Sequence, residues 1–163
     1  MHTDRENDIE EELKFNVLLV DDSEINLAVE KEILESFGLT VYTADSGKSA
    51  VRFVEKQGVD LILLDLRMPE MDGYEVAEFI RKNHICDNTA IIALTADAAQ
   101  DVFEKIKKSG MQEYVIKPFK PYDMRKVIEK YAGINLKNEE TVENENNSKN
   151  NSLYFNVSEC LKN

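Results

Sequence analysis

Five short apolar runs, each stopped by a polar residue, limit what this chain can fold into more than any other feature. Phe15-Asn16-Val17-Leu18-Leu19-Val20 stops at Asp21-Asp22, Leu61-Ile62-Leu63-Leu64 at Asp65, Ala90-Ile91-Ile92-Ala93-Leu94 at Thr95, and Tyr114-Val115-Ile116 at Lys117-Pro118. Thr40-Val41-Tyr42-Thr43 is a weaker fifth run. Continuous apolar runs of this length suit strands covered on both faces, as in a parallel sheet. Helical spacings separate them. Ile25, Val29, Ile33 and Phe37 recur every four residues before Gly38, Val51 and Val54 mark a second helix, and Val76, Ala77 and Ile80 a third. Val102, Phe103 and Ile106 precede Gly110, and Met124, Val127, Ile128 and Tyr131 run to Gly133. Glycine after a helical stripe is a stop signal. Strand and helix thus alternate five times. Right-handed crossovers then predict an α/β fold, a doubly wound five-stranded parallel sheet with helices on both faces, and the strand order expected of it is the flavodoxin-like 2-1-3-4-5.

The periodic pattern occupies residues 15–133, the one predicted domain. Residues 1–14 read as an acidic arm or linker and 134–152 as an Asn/Glu-rich linker, too polar to offset chain entropy by burial. In the segment 153–163, Leu153, Val157 and Leu161 return to helical spacing, as at the start of a further module or an isolated docking helix. No internal repeat is present.

Polar residues at the carboxyl ends of parallel strands converge on the rim where such sheets bind ligands. Asp21, Asp22, Asp65, Thr95 and Lys117 all hold that position. Three carboxylates in a small space repel one another, so a cation belongs between them, and hard oxygen ligands favour Mg²⁺. Metal and lysine together can neutralise a phosphoryl group while a carboxylate attacks phosphorus in line. Asp65 is the candidate nucleophile because it ends the most apolar run, at the middle of the sheet.

A net charge of −12 argues against duplex nucleic acid and against an anionic membrane surface as partners. No run is long enough to span a bilayer, and the start lacks a signal-peptide core. The two cysteines, Cys86 and Cys160, have no CxxC spacing. A reducing, cytoplasmic setting is expected.

The runs Leu19-Val20-Asp21-Asp22-Ser23, Leu63-Leu64-Asp65-Leu66-Arg67-Met68-Pro69-Glu70-Met71-Asp72-Gly73, Leu94-Thr95-Ala96 and Lys117-Pro118-Phe119 resemble the receiver domains of response regulators in two-component signalling. The resemblance implies that Asp65 accepts phosphate from a phosphohistidine or a small donor. It assigns Mg²⁺, with Mn²⁺ as a substitute, to Asp22, Asp65 and the backbone carbonyl of Arg67, and to Asp21 through a bound water. Thr95, the backbone N–H of Ala96 and Lys117 would hold phosphoryl oxygens. Thr95 and Tyr114 would form the switch, and Lys117–Pro118 a cis peptide. The implied donors are a histidine kinase or a histidine-phosphotransfer protein. The implied output surface is the face of the fourth helix, fifth strand and fifth helix, with homodimerisation on activation left open. Asp22-Ser23-Glu24-Ile25-Asn26 and Leu94-Thr95-Ala96-Asp97-Ala98 are similar to receivers of hybrid histidine kinases; a free-standing regulator is the alternative.

Such a protein is a regulatory phosphoacceptor, with only self-directed phosphotransfer and autodephosphorylation as chemistry. Two other readings compete. A phosphatase of the haloacid-dehalogenase type would carry Asp-x-Asp after one strand, where this chain has Asp65-Leu66-Arg67, and would need a cap segment. A degenerate receiver, binding partners without phosphate, usually lacks an acid or the lysine. Taken alone, Asp21 and Asp22 could cap a helix, Ser23 is a candidate N-cap, and Thr95 could cap the fourth helix. Arg67 and Asp97, opposite in charge beside the site, are expected to tune the rate by shielding the phosphoryl group from water. An Arg67→Ala protein is therefore expected to lose its phosphoryl group faster than the parent; an unchanged dephosphorylation rate would remove that role.

Overall fold

The structure, a computed structural model, describes residues 14–133 and Leu136. The expected arm, the Asn/Glu-rich linker beyond Leu136 and the 153–163 segment lie outside the described residues, apart from Lys14 of the arm. The described chain alternates β1 (Asn16–Val20), α1 (Glu24–Ser36), β2 (Thr40–Ala44), α2 (Gly47–Lys56), β3 (Leu61–Asp65), α3 (Gly73–Lys82), β4 (Ala90–Thr95), α4 (Gln100–Lys108), β5 (Glu113–Ile116) and α5 (Pro121–Ala132). The strands pair in parallel in the order β2-β1-β3-β4-β5. This is the doubly wound architecture that the apolar runs predict. Among the described residues no helix is long and apolar enough to cross a membrane.

Side chains alternate across each strand, so the sheet feeds two cores. Leu18, Val20, Ile62, Leu64, Ile91, Ala93 and Tyr114 pack with α2, α3 and α4. Val17, Leu19, Leu61, Leu63, Ile92, Leu94 and Val115 pack with α1 and α5. The same alternation decides where the rim residues point. Asp21 continues the row of Val17 and Leu19, Asp65 that of Leu61 and Leu63, and Lys117 that of Val115. All three therefore lean toward the α1/α5 layer. Thr95 continues the row of Ile91 and Ala93 and leans toward α4, as Tyr114 does.

The first helix departs from its expected face. Ile25 and Val29 of the apolar stripe are 76% and 54% exposed. The inward row is instead Leu27, Glu30, Leu34 and Phe37, of which Glu30 and Leu34 are buried. A four-residue repeat drifts around an α-helix, since four residues exceed one turn. The sheet selects the row that lets Leu34 reach the β1/β2 surface. The start of α4 differs too. It begins at Gln100 with Ala99 at its N-cap, and Thr95 stays at the end of β4 rather than capping it. Ser23 does cap α1, accepting a hydrogen bond from the Asn26 N–H at 3.3 Å.

Arg81 ties α3 to the opposite end of the sheet. Its guanidinium donates to the carbonyls of Gly110 (3.0 Å), Cys86 (3.2 Å), Asp87 (3.4 Å) and Thr89 (2.8 Å), and to Gln112 Oε1 (3.1 Å). A planar fork fits this fan of acceptors, which lysine cannot match. Arg81→Ala strands several carbonyls at once and is expected to cost about 2–3 kcal/mol in urea unfolding, with Arg81→Lys recovering only part of it.

Candidate functional site

Parallel register brings the strand ends level. Val20 pairs with Leu64, Asp65 with Leu94, and Thr95 with Ile116. The residues that follow or end these strands must then meet at one rim. Asp21, Asp22 and Asp65 each offer a carboxylate oxygen, and these oxygens lie within 4.8 Å of one another. Asp21 is fully buried and Asp22 exposed, so the cluster opens to solvent on the Asp22 side.

Each acid is held by its neighbours. Asp21 accepts hydrogen bonds from the Ser23 N–H (2.9 Å), Asn26 Nδ2 (3.3 Å) and Lys117 Nζ (2.6 Å). Asp65 Oδ1 accepts from the Arg67 N–H at 3.2 Å, and Asp65 Oδ2 lies 3.6 Å from Lys117 Nζ. The loop after Asp65 is braced by α3. Asp72 caps that helix in a reciprocal box with Glu75, and the Gly73 N–H donates to the Leu66 carbonyl at 3.1 Å. A Cβ on Gly73 would lie 2.5 Å from the Asp65 carbonyl oxygen, so only glycine lets α3 seat this close under the end of β3.

Lys117 enters from the loop after β5, next to a cis bond to Pro118. Besides Asp21 and Asp65 it meets a residue the sequence reading missed. Glu30 of α1 is 6% exposed, and its Oε1 stands 3.6 Å from Lys117 Nζ. Its Oε2 is buried without a hydrogen-bond partner. The signal was the row Leu27, Glu30, Leu34, which places a carboxylate on a buried helix face. The exposed row through Ile25 and Val29 masked it.

The charges are strongly coupled. Burial pushes the Glu30 carboxyl up to about 7; Lys117 opposes this, while Asp21 and Asp65 add to it. Burial also raises Asp65, against the pull of Lys117 and the Arg67 N–H, with Asp21 and Asp22 adding to the rise. For Asp21 burial acts upward, but the bonds from Lys117, Ser23 and Asn26 outweigh it and hold the carboxyl below its ordinary range. Burial alone would discharge Lys117. Asp21, Glu30 and Asp65 reverse that and keep it above its ordinary value. Three carboxyl groups, those of Asp21, Glu30 and Asp65, thus gather around the Lys117 ammonium, with Asp22 beside two of them. This excess of negative charge on oxygen donors fits a small divalent cation.

The other half of the rim faces α4. Thr95 is 6% exposed, and its Oγ1 accepts from the Asp97 N–H (3.0 Å) and donates to the Asp97 carbonyl (3.1 Å). Asp97 Oδ1 accepts from the Ala99 N–H at 3.0 Å. Ala96 lies between them at the turn out of β4. Arg67 and Asp97 line one cleft with Thr95, Asp72 and Lys105, but no ion pair joins Arg67 to Asp97. The Tyr114 ring is buried against Phe103, with centroids 4.2 Å apart and planes tilted by 58°.

A parallel α/β sheet with an acid cluster and a lysine at its carboxyl rim defines a site for metal-assisted chemistry on an anionic group. Residues 17–129 match the profile of the response regulator receiver domain, and the chain belongs to that family. It is 36% identical to the sensor protein GacS of Pseudomonas syringae over 125 residues, 75% of this chain but 14% of that protein. The receiver domain of the sensor histidine kinase PA1611 from Pseudomonas aeruginosa, solved with magnesium in its active-site cleft, is 36% identical. It superposes with a TM-score of 0.69 over 74% of this chain and 99% of that one. The receiver domain of Ssk1 from Saccharomyces cerevisiae, solved with the histidine phosphotransfer protein Ypd1, is 30% identical with a TM-score of 0.69, covering 74% and 90% of the two chains. In keeping with the likeness to hybrid histidine kinase receivers that the sequence motifs suggested, the chain is also 32% identical over 146 residues to hybrid signal transduction histidine kinase C of Dictyostelium discoideum, 86% of this chain and 11% of that protein.

Glu30 carries a stability consequence. Its folded pKa of about 7 exceeds the ordinary 4.5, so between those values the folded state holds the extra proton. Stability from this group is present below the unfolded pKa and is lost as pH rises through the folded one. In EDTA, Glu30→Gln is expected to gain on the parent by roughly 2 kcal/mol between pH 5 and pH 8 in denaturant melts. Parallel stability profiles for the two proteins would contradict this.

Proposed function

We propose that this chain is a phosphoacceptor in a two-component phosphorelay, with Asp65 as the group that takes the phosphoryl. The observation that carries the reading is the set Asp21, Asp22 and Asp65 around Lys117, oxygens within 4.8 Å and the lysine 3.6 Å from Asp65. In the transfer, an Asp65 carboxylate oxygen forms a bond to phosphorus as the P–N bond of a phosphohistidine breaks, and the electron pair returns to the imidazole. Asp22, Asp65, the Arg67 carbonyl and Asp21 through a water would hold Mg²⁺, or Mn²⁺ in its place. The ion supplies neutralising charge for the phosphoryl oxygens. Lys117 takes one oxygen, and Thr95 with the Ala96 N–H takes the others.

The reach of Thr95 is what turns chemistry into a signal. To bond a phosphoryl oxygen its hydroxyl must give up the Asp97 carbonyl, which loosens the turn into α4. Tyr114 packs on Phe103 of α4, so the α4-β5-α5 face changes with it and alters its protein partners. Homodimerisation through that face is one form such a change takes. Arg67 and Asp97, which both line the cleft, would control water access to the aspartyl phosphate.

The donor is a histidine kinase or a histidine-phosphotransfer protein in the cytoplasm. The Ssk1 receiver, similar in fold, was solved with such a phosphotransfer protein. The exposed Ile25 and Val29 support a landing site on α1, next to the exposed Asp22. The chain covers only 14% of GacS, so the rest of the pathway belongs to segments or proteins beyond this site.

Incubation with acetyl phosphate and Mg²⁺ is expected to add one phosphoryl mass to the intact protein. The adduct is expected to vanish with Asp65→Asn and with EDTA. An adduct that survives Asp65→Asn would move the acceptor elsewhere, and none under any donor would leave a phosphate-independent binding module.

A further inference from the structure

The mechanism above needs Lys117 to grip the phosphoryl group, yet the structure gives this lysine a competing partner. Glu30 belongs to α1, not to the rim, and nothing in the transfer uses it. Its carboxylate lies 3.6 Å from the ammonium and is almost fully buried. One of its oxygens has no hydrogen-bond partner at all. A buried carboxylate with half its bonding capacity empty depends on its remaining cation.

Resting on the phosphoacceptor reading, we infer that Glu30 is a positioning residue that draws Lys117 toward the α1 layer and holds it back from the incoming phosphoryl group. Lys117 Nζ stands 3.6 Å from Glu30 Oε1 on α1 and equally 3.6 Å from Asp65 Oδ2 at the rim, so the two carboxylates compete for it. Asp21 shares the lysine at 2.6 Å, but a cation bound among the rim carboxylates takes up part of the Asp21 charge. Glu30 lies outside the set that offers ligand oxygens, so its hold on Lys117 persists when that set is filled. When Lys117 swings to a phosphoryl oxygen, Glu30 loses its counter-charge. The swing is then opposed unless the carboxyl takes a proton.

The charged groups acting on Glu30 are Lys117 from the loop after β5, Asp21 at the end of β1 and Asp65 at the end of β3. Burial pushes its carboxyl up to about 7, so the restraint weakens within the neutral range. Removing Glu30 does not discharge Lys117, because Asp21 and Asp65 remain beside it.

The test compares the full chain with Glu30→Gln, phosphorylated by acetyl phosphate at saturating Mg²⁺ and followed by intact mass at pH 6 and pH 8. Glutamine keeps the shape and removes the charge. At pH 8 the variant is expected to react faster by on the order of 5-fold, about 1 kcal/mol of barrier. At pH 6 the gain is expected to be smaller than at pH 8, because burial raises the Glu30 carboxyl and its protonation removes the pull on Lys117. A variant that is equal or slower at pH 8, or a rate ratio unchanged between the two pH values, overturns the inference. A packing role alone would give such a constant ratio. Thermal melts check folding, and Glu30→Met, a second neutral replacement, must give the same pattern if Glu30→Gln does not fold. Absence of any adduct on the parent overturns the phosphoacceptor reading and this inference with it. A parent adduct without the pH-dependent gain overturns only the role of Glu30.

Discussion

The Lys117 ammonium is the charge on which the rest of the site depends. Asp21, Asp65 and Glu30 all lie within 3.6 Å of it, and two of the three are held at the edge of the hydrophobic interior. Without a cation there, their mutual repulsion would add to the cost of burying them. With it, the fold tolerates a concentration of negative charge that a metal ion can complete. In the proposed reading the same lysine would also meet the arriving phosphoryl group, so its resting position would bear on the transfer.

The geometry divides the rim into two halves with different jobs. The acids and Lys117 follow the strand rows that face α1 and α5. Thr95 and Tyr114 follow the rows that face α4. β3 lies between β1 and β4 in the sheet, so in the proposed reading an anion on Asp65 would touch both halves, and binding energy collected on the acidic side would be expressed as movement on the α4 side. Gly73 and the Asp72 cap keep the acceptor loop from moving instead, since α3 is seated directly under the Asp65 and Leu66 backbone. Arg81 anchors the other end of that helix.

Most of the fold was legible because buried parallel strands leave a plain record, continuous apolar runs cut by a polar residue. Asp21, Asp22, Asp65, Thr95 and Lys117 could be named for the same reason. A polar residue directly after such a run has to emerge at the sheet's carboxyl rim, whatever the helices do. The first helix was less legible. Ile25, Val29, Ile33 and Phe37 make as good a stripe on paper as Leu27, Glu30, Leu34 and Phe37. The first row even scores as more apolar, and the structure leaves its Ile25 and Val29 in solvent.

What the sequence determined by itself is the order of elements and the residues at the strand ends. These follow from local rules, continuous apolar runs ended by a polar residue and helical stripes between them. Tertiary structure decided which helix face turns inward and, with it, that Glu30 joins the cluster around Lys117. Helix rotation is set by how Leu34 and Phe37 fit the β1/β2 surface, a contact between segments that no local period records. A buried carboxylate is costly, and only the assembled site, with its lysine in place, makes that position tolerable.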